Sequence, residues 1–196
     1  MEIVQISSFK ELEEAYGFVE KYLLKSDKHP RDINYYARKL SEHPELMLKA
    51  TIGNNIVGVV LGSVDDDHIL IGELVVHPNH RRQYIGSSLI KLLEENSKIT
   101  GINTLLLGAG EEAEAFYLKQ GYTPKLFIQV QGNNAKDVFD NFIKDLSIKY
   151  RVSWKEDKDD ISKAVIETQT IDKDLQQKAD GLPNCHSQYL FSKTII

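Results

Sequence analysis

Leu74-Val75-Val76-His77-Pro78-Asn79-His80-Arg81-Arg82-Gln83-Tyr84-Ile85-Gly86-Ser87-Ser88-Leu89 decides how the chain is read. A β-branched run stops at a proline, a short basic loop follows, and a helical period then begins. Ile85, Leu89, Leu92, Leu93 and Ile99 fall on one face, at i, i+4, i+7, i+8 and i+14. Strand, basic turn and helix start arrive in the order that makes an anion site. The first amides of a helix lack intrahelical acceptors, and the helix dipole places partial positive charge there. Gly86 admits a bulky anion close to the backbone, and Arg81 and Arg82 add full charges. A Walker loop is absent and a single glycine is too few for a dinucleotide fingerprint. On these residues alone, a structural strand-turn-helix with two surface arginines stays open.

A second stretch, Ala113-Glu114-Ala115-Phe116-Tyr117-Leu118-Lys119-Gln120-Gly121-Tyr122, changes the reading. Together the two resemble the acetyl-CoA-binding core of the GNAT superfamily of N-acyltransferases. In that family a strand with V-x-P precedes R-x-x-G-x-G/A and a helix, and A-x-x-F/L-Y-x-K-x-G-F/Y follows further along. Arg81, Ile85 and Gly86 fit the first motif; Ala113, Tyr117, Lys119, Gly121 and Tyr122 fit the second. The resemblance covers Ile3 to Ile128. It implies an α/β fold with a central mixed twisted sheet flanked by helices. It also implies that Arg81, Arg82, Gln83, Tyr84, Ile85, Gly86, Ser87 and Ser88 hold the CoA diphosphate. Leu74, Val75 and Val76 then lie where their strand splays from its parallel neighbour, helped by a bulge, and offer amides to the pantetheine arm and thioester. Tyr117 becomes both a CoA contact and the acid that protonates the leaving thiolate. The departures are Tyr84, where the family usually has glycine, and Gly110, where an asparagine is common.

Glu73, one residue before the cofactor strand's Leu74, is the candidate base for the acceptor ammonium, acting directly or through a water. His77 and His68 are poorer candidates. The implied activity is an acyltransferase: acetyl passes from acetyl-CoA to a primary amine by direct attack in a ternary complex. The acceptor is a small molecule or a peptide amine. The rival from another class is a CoA-binding sensor without turnover, kept open by Tyr84 and Gly110. No metal is expected, because the turn Asp65-Asp66-Asp67 lacks the remaining ligands of a calcium loop.

The rest of the chain bounds these readings. A net charge of −5 disfavours a nucleic-acid surface. The single cysteine, Cys185, precludes an internal disulfide and fits a reducing, cytoplasmic setting. Glu2 follows Met1 without an apolar leader, and no run approaches a membrane span. Glu2 to Ser7 reads as a strand. Ser8-Phe9-Lys10-Glu11 has capping-box spacing, and Phe9, Leu12, Tyr16, Val19 and Leu23 form one helix face. His29-Pro30-Arg31-Asp32 opens another helix carrying Tyr35 and Tyr36, which the resemblance places on the acceptor side of the cleft. From Leu46 the period is two, as in a half-buried strand, and Gly53-Asn54-Asn55 turns it into Ile56 to Val64. His68 to Val76 is the next strand. Gly101 closes the helix after the loop, and Asn103 to Gly108 is a buried parallel strand.

Residues 1–125 are thus expected to form the acetyltransferase core and 126–196 an extra C-terminal α+β region. Leu126 to Gln131 reads as a strand, a helix carries Val138, Phe139, Phe142, Ile143 and Leu146, and Ile148 to Trp154 is a strand. Lys155 to Asp160 reads as a charged turn, Lys163 to Ile171 as extended, Asp172 to Asp180 as a helix and Tyr189 to Ile196 as a closing strand. Two architectures fit: an insertion at 132–187 before the closing strand, or a β-α-β-β-α-β subdomain that supplies the last strand of the core sheet. Either leaves room for a homodimer.

Overall fold

The computed structural model describes residues 1–23, 31–146 and 149–195. His29, Pro30, Ile148 and Ile196, named above as helix and strand positions, lie outside them. The chain forms two compact units, Met1–Leu106 together with the end of the chain from Thr194, and Leu107–Lys193. Each is described by itself.

The first unit is a sheet with helices on both faces. Its strands are β1 (Glu2–Gln5), β2 (Met47–Ile52), β3 (Asn55–Asp65), β4 (His68–Val76) and β5 (Thr104–Gly108), in spatial order β1-β2-β3-β4-β5. Neighbours are antiparallel up to β4, and β5 runs parallel to β4. Helix α1 (Phe9–Tyr22) starts at Ser8, whose hydroxyl accepts from the Glu11 amide, while Glu11 reaches back to the Ser7 amide. The expected box is therefore present, its return bond shifted by one residue. Helix α2 (Ile33–Glu42) is capped by Asp32, which accepts from the Tyr35 amide.

Leu12, Ala15, Tyr16, Val19 and Tyr36 pack on Met47, Val59, Leu61 and Val75 of the sheet. The opposite sheet face carries α3 (Ile85–Ser97), seated where β3 has glycines. A β-carbon on Gly58 would lie 2.9 Å from Ile85 Cγ2, so only glycine allows so close a seat. Two corrections follow. Strand β2 is buried on both faces over Met47–Ala50 rather than half-buried, because helices cover both sides of the sheet. Lys49 tolerates this by pairing with Glu11 at 2.8 Å. Ile99 does not extend the buried stripe of α3. That helix stops at Ser97, Lys98–Thr100 form a 3-10 turn, and Ile99 is 75% exposed. Gly101 follows with φ +76, the left-handed closure its position predicts.

The second unit contains α4 (Glu111–Lys119), β6 (Thr123–Gln131), α5 (Ala135–Leu146), β7 (Arg151–Lys158), β8 (Ile161–Glu167), α6 (Lys173–Asp180) and β9 (Cys185–Thr194). Its strands are all antiparallel, in the order β9-β6-β8-β7. Leu126, Ile128, Ala164, Ile166, Tyr189 and Phe191 form its buried sheet face. The charged turn expected at Lys155 to Asp160 is instead mostly strand. Its charges neutralise one another across the hairpin and against α5, through Lys155 with Asp140 and Lys163 with Glu156, so they do not break the extended backbone. The turn itself is Asp159-Asp160, both left-handed. The extended segment expected at Lys163 to Ile171 ends at Glu167, before the Asp172 cap of α6. Strand β9 starts at Cys185, ahead of the expected Tyr189.

The Glu11–Lys49 pair makes stability depend on pH. The Lys49 ammonium, aided by Ser7, holds the Glu11 carboxyl down at about 2 against 4.5 for a free side chain. A lowered carboxyl stabilises the fold at pH above 4.5, and that contribution is lost as pH falls towards 2. Glu11→Gln should therefore flatten the acid limb of stability. At neutral pH it should cost about 1 kcal/mol, a modest sum because solvent screens the partly open pair. Urea unfolding from pH 7 down to pH 2.5 checks both.

Candidate functional site

Strand β4 sets the geometry. It pairs with β3 throughout, but at Gly72 one residue too many is present: Leu61 faces Glu73 while Gly62 faces Ile71. Its parallel register with β5 covers Ile69↔Leu105 and Leu70↔Leu106. Among the described residues, positions 71 to 76 carry no pairing on that side. Leu74, Val75 and Val76 lie in this stretch, opposite Val60, Val59 and Gly58. Val75 is buried, whereas Leu74 and Val76 are half-buried.

Beyond Val76 the chain enters a 3-10 turn, Pro78–His80, capped by His77 Nδ1, which accepts from the Asn79 amide. Arg81 folds back so that Nε donates to the carbonyl of Val76 at 3.2 Å. Gln83 donates to the carbonyl of Asn79. Arg82 and Tyr84 then take left-handed backbones, φ 61 and 62. These two residues reverse the chain into α3, whose first backbone bond is Ser88 N–H to the carbonyl of Tyr84. The amides of Arg82, Gln83, Tyr84, Ile85 and Gly86 meet no acceptor among the described residues. Ile85 and Gly86 are buried, Ser87 and Ser88 are half-buried, and Arg81, Arg82, Gln83 and Tyr84 face solvent. Tyr84 is 82% exposed. A row of unsatisfied N–H groups at the head of a helix suits a multiply charged anion, and the two guanidiniums suit it further.

Glu73 sits at the bulge. It is 4% exposed, and its Oε1 accepts from the Tyr36 hydroxyl at 3.0 Å, with Arg31 Nε at 3.6 Å. Tyr35, named with Tyr36 from sequence, bonds Ser63 at 2.9 Å. Sequence reasoning named Glu73 and, through the family resemblance, expected a bulge in this strand, but it missed that Tyr36 and Arg31 converge on the carboxylate. Gly72, a glycine inside a largely aliphatic run, marks in the sequence where that bulge falls. His68 bonds its neighbour Asp67 at the hairpin turn, and His77 serves as the cap described, so neither stands beside Glu73.

Tyr117 belongs to the second unit, on α4. It is 7% exposed, with its ring 5.0 to 5.8 Å from those of Phe116, Tyr122 and Phe191. Its carbonyl accepts from the amides of Gln120 and Tyr122, which fold the Gly121 turn beneath it. Helix α4 begins at Gly110 without a side-chain cap, and its first turn is acidic. Lys173 of α6 ties down that turn, bonding Glu111 at 2.8 Å and Glu114 at 3.0 Å. Among the described residues no cluster of three or more His, Cys, Asp or Glu suits a metal, and no helix is long and apolar enough to cross a membrane.

Comparison with known proteins fits this arrangement. Residues 9–122 match the GNAT acetyltransferase family. An acetyltransferase of Sodalis glossinidius is 32% identical over 88 residues, covering 43% of this chain and 62% of its own. Acetyltransferases of Yersinia pestis and Pectobacterium atrosepticum are each 35% identical over 78 residues, covering 40% of this chain and 55% of theirs. The chain therefore spans less than two thirds of the length of these relatives. Among solved structures, the NatB acetyltransferase complex bound to CoA and MES aligns with a TM-score of 0.53 at 18% identity, over 87% of this chain and all of that one. A Mycobacterium tuberculosis protein in complex with CoA aligns over the whole of both chains, with a TM-score of 0.53 at 13% identity. At such identities the likeness speaks for the fold, the mixed α/β acyl-CoA N-acyltransferase fold. With more than half of its length matched, the chain belongs to the GNAT acetyltransferase family.

Proposed function

We propose that the protein is an N-acetyltransferase that transfers acetyl from acetyl-CoA to a primary amine of a small molecule or peptide, by direct attack in a ternary complex. One observation carries the reading: the amides from Arg82 to Gly86 meet no acceptor among the described residues and stand at the head of a thirteen-residue helix. These amides, with Arg81 and Arg82, grip the diphosphate of the co-substrate. The unpaired side of β4 at Leu74, Val75 and Val76 gives the pantetheine arm a hydrogen-bonding edge, and an amide there polarises the thioester carbonyl. Glu73 takes the proton of the acceptor ammonium, directly or through a water, and Tyr117 returns one to the departing thiolate. Ser87 and Ser88 complete the anion loop.

Direct attack also suits the thiol inventory. Burial pushes Cys185 up to about 11, so it stays protonated and is a poor covalent nucleophile. A reducing, cytoplasmic setting fits the same residue. In this reading residues 1–125 are the catalytic core and 126–196 an added α+β region.

The sensor reading is favoured by one observation, the strained and solvent-exposed Tyr84 in a loop that must admit a phosphate. Release of free thiol from acetyl-CoA across a panel of amines separates the two. An enzyme frees CoA with at least one amine, while a sensor binds CoA and frees none. For the enzyme, Tyr117→Phe should lower kcat by about 100-fold or more with CoA affinity unchanged. Arg81→Ala should weaken CoA about tenfold with little effect on kcat. Calorimetric titration with CoA and initial-rate kinetics read these effects.

Tyr84→Gly removes a largely exposed side chain from a left-handed position. Relief of that strain outweighs the greater freedom of glycine in the unfolded chain, for a net gain of about 0.5–1 kcal/mol. Chemical unfolding should show higher stability, and CoA binding should tighten as the loop opens.

A further inference from the structure

We propose that Tyr36 is a positioning residue for Glu73: its hydroxyl, with the Arg31 guanidinium, fixes the Glu73 carboxylate at the β4 bulge and stabilises its charged form. The inference rests on the reading of Glu73 as the proton acceptor. Tyr36 is fully buried and Glu73 is 4% exposed, so neither is held by solvent. Within that interior the tyrosine donates to Oε1 at 3.0 Å, and Arg31 Nε stands 3.6 Å from the same oxygen. A buried carboxylate is tolerable only with such partners.

The backbone is shaped to admit the bond. A β-carbon on Gly72 would lie 2.4 Å from the Tyr36 hydroxyl and 3.3 Å from Arg31 Nε. The bulge thus places its one side-chain-free residue where the phenol must pass to reach Glu73. The phenol keeps its proton: burial first, and the nearby Glu73 charge second, push it well above the usual phenol range. It therefore acts as a donor to the carboxylate and not as a second base.

The surrounding groups point the same way. From α1, Tyr16 donates to the carbonyl of Arg31 at 3.1 Å and steadies that residue. Glu20 and Asp32 bear electrostatically on Tyr16. From α2, the Tyr35 ring lies edge-on to Tyr36 at 5.2 Å and its hydroxyl bonds Ser63 of β3. Arg31 brings positive charge to Glu73.

A hydrogen bond to the charged form lowers the pH at which a carboxyl protonates, so its loss raises that pH. The acid limb of kcat/KM for Tyr36→Phe should move up by about one pH unit. The conservative variant keeps the ring in the core. Arg31→Gln should move the limb in the same direction. Gly72→Ala leaves the tyrosine in the chain but displaces its hydroxyl, and should do likewise. A carbon-13 titration of the Glu73 carboxyl in the substrate-free protein should show the same displacement. A limb and a carbon-13 titration both unmoved in Tyr36→Phe and Gly72→Ala would overturn the proposal and leave Tyr36 a packing residue. Should Glu73→Gln retain the wild-type limb, the base assignment fails instead. The carbon-13 titration of Tyr36→Phe then still decides whether the tyrosine sets the carboxylate.

Discussion

Unsatisfied backbone amides at the head of α3 are the constraint on which the first unit depends. A polypeptide normally pairs its N–H groups with helix, sheet or side-chain acceptors. Here the chain leaves β4 through a 3-10 turn and two left-handed residues, and that path leaves the amides of Arg82 to Gly86 without an acceptor among the described residues. Such a path persists only if both ends are held. At one end β4 is paired along its length with β3, from Asp65↔His68 to Gly58↔Val76. At the other, Ile85, Leu89 and Leu93 are buried, against sheet glycines that bring helix and strand together. The loop is thus held at both ends by what flanks it, the condition under which backbone amides can be preorganised.

The same strand resolves two demands that conflict. To pair with β3 it must stay regular; to offer amides on its other side it must part from β5. The extra residue at Gly72 reconciles them, since a bulge bends one strand without unpairing its partner. It also re-aims Glu73 into the interior. Removing that carboxylate from water would be costly alone, and Tyr36 and Arg31 offset the cost.

Much of this was legible in the chain because it is local. The strand, the basic turn and the buried Ile85, Leu89 and Leu93 follow from spacing within a few residues, as do the Ser8 and Asp32 caps and the left-handed Gly101. What escaped was non-local. Tyr36 is 37 residues from Glu73, and their meeting depends on how α2 lies over β4, which no periodicity encodes. Lys155 to Asp160 looked like a turn because charges were weighed as solvated, whereas the strand part has partners in Asp140 on α5 and Lys163 on β8. Ile99 kept the helical phase but fell beyond the point where α3 tightens and ends. The candidate anion loop was legible as chemistry, whereas the lack of acceptors for its amides among the described residues follows from the path of the folded backbone.

The helix that carries Tyr117 depends on C-terminal residues, even though the family resemblance ends near Ile128. Its helix is short, nine residues, and starts without a side-chain cap, so α4 has little stability of its own. What holds it comes from further along the chain. Lys173 of α6 ties the first turn through Glu111 and Glu114. Phe191 of β9 packs its ring 5.8 Å from that of Tyr117, and Lys193 donates to the carbonyl of Gln120 at the helix end at 2.9 Å. Charge fixes the start of α4, an aromatic contact its middle and a hydrogen bond its end. The orientation of the Tyr117 ring thus rests in part on residues outside both motifs, Phe191 among them.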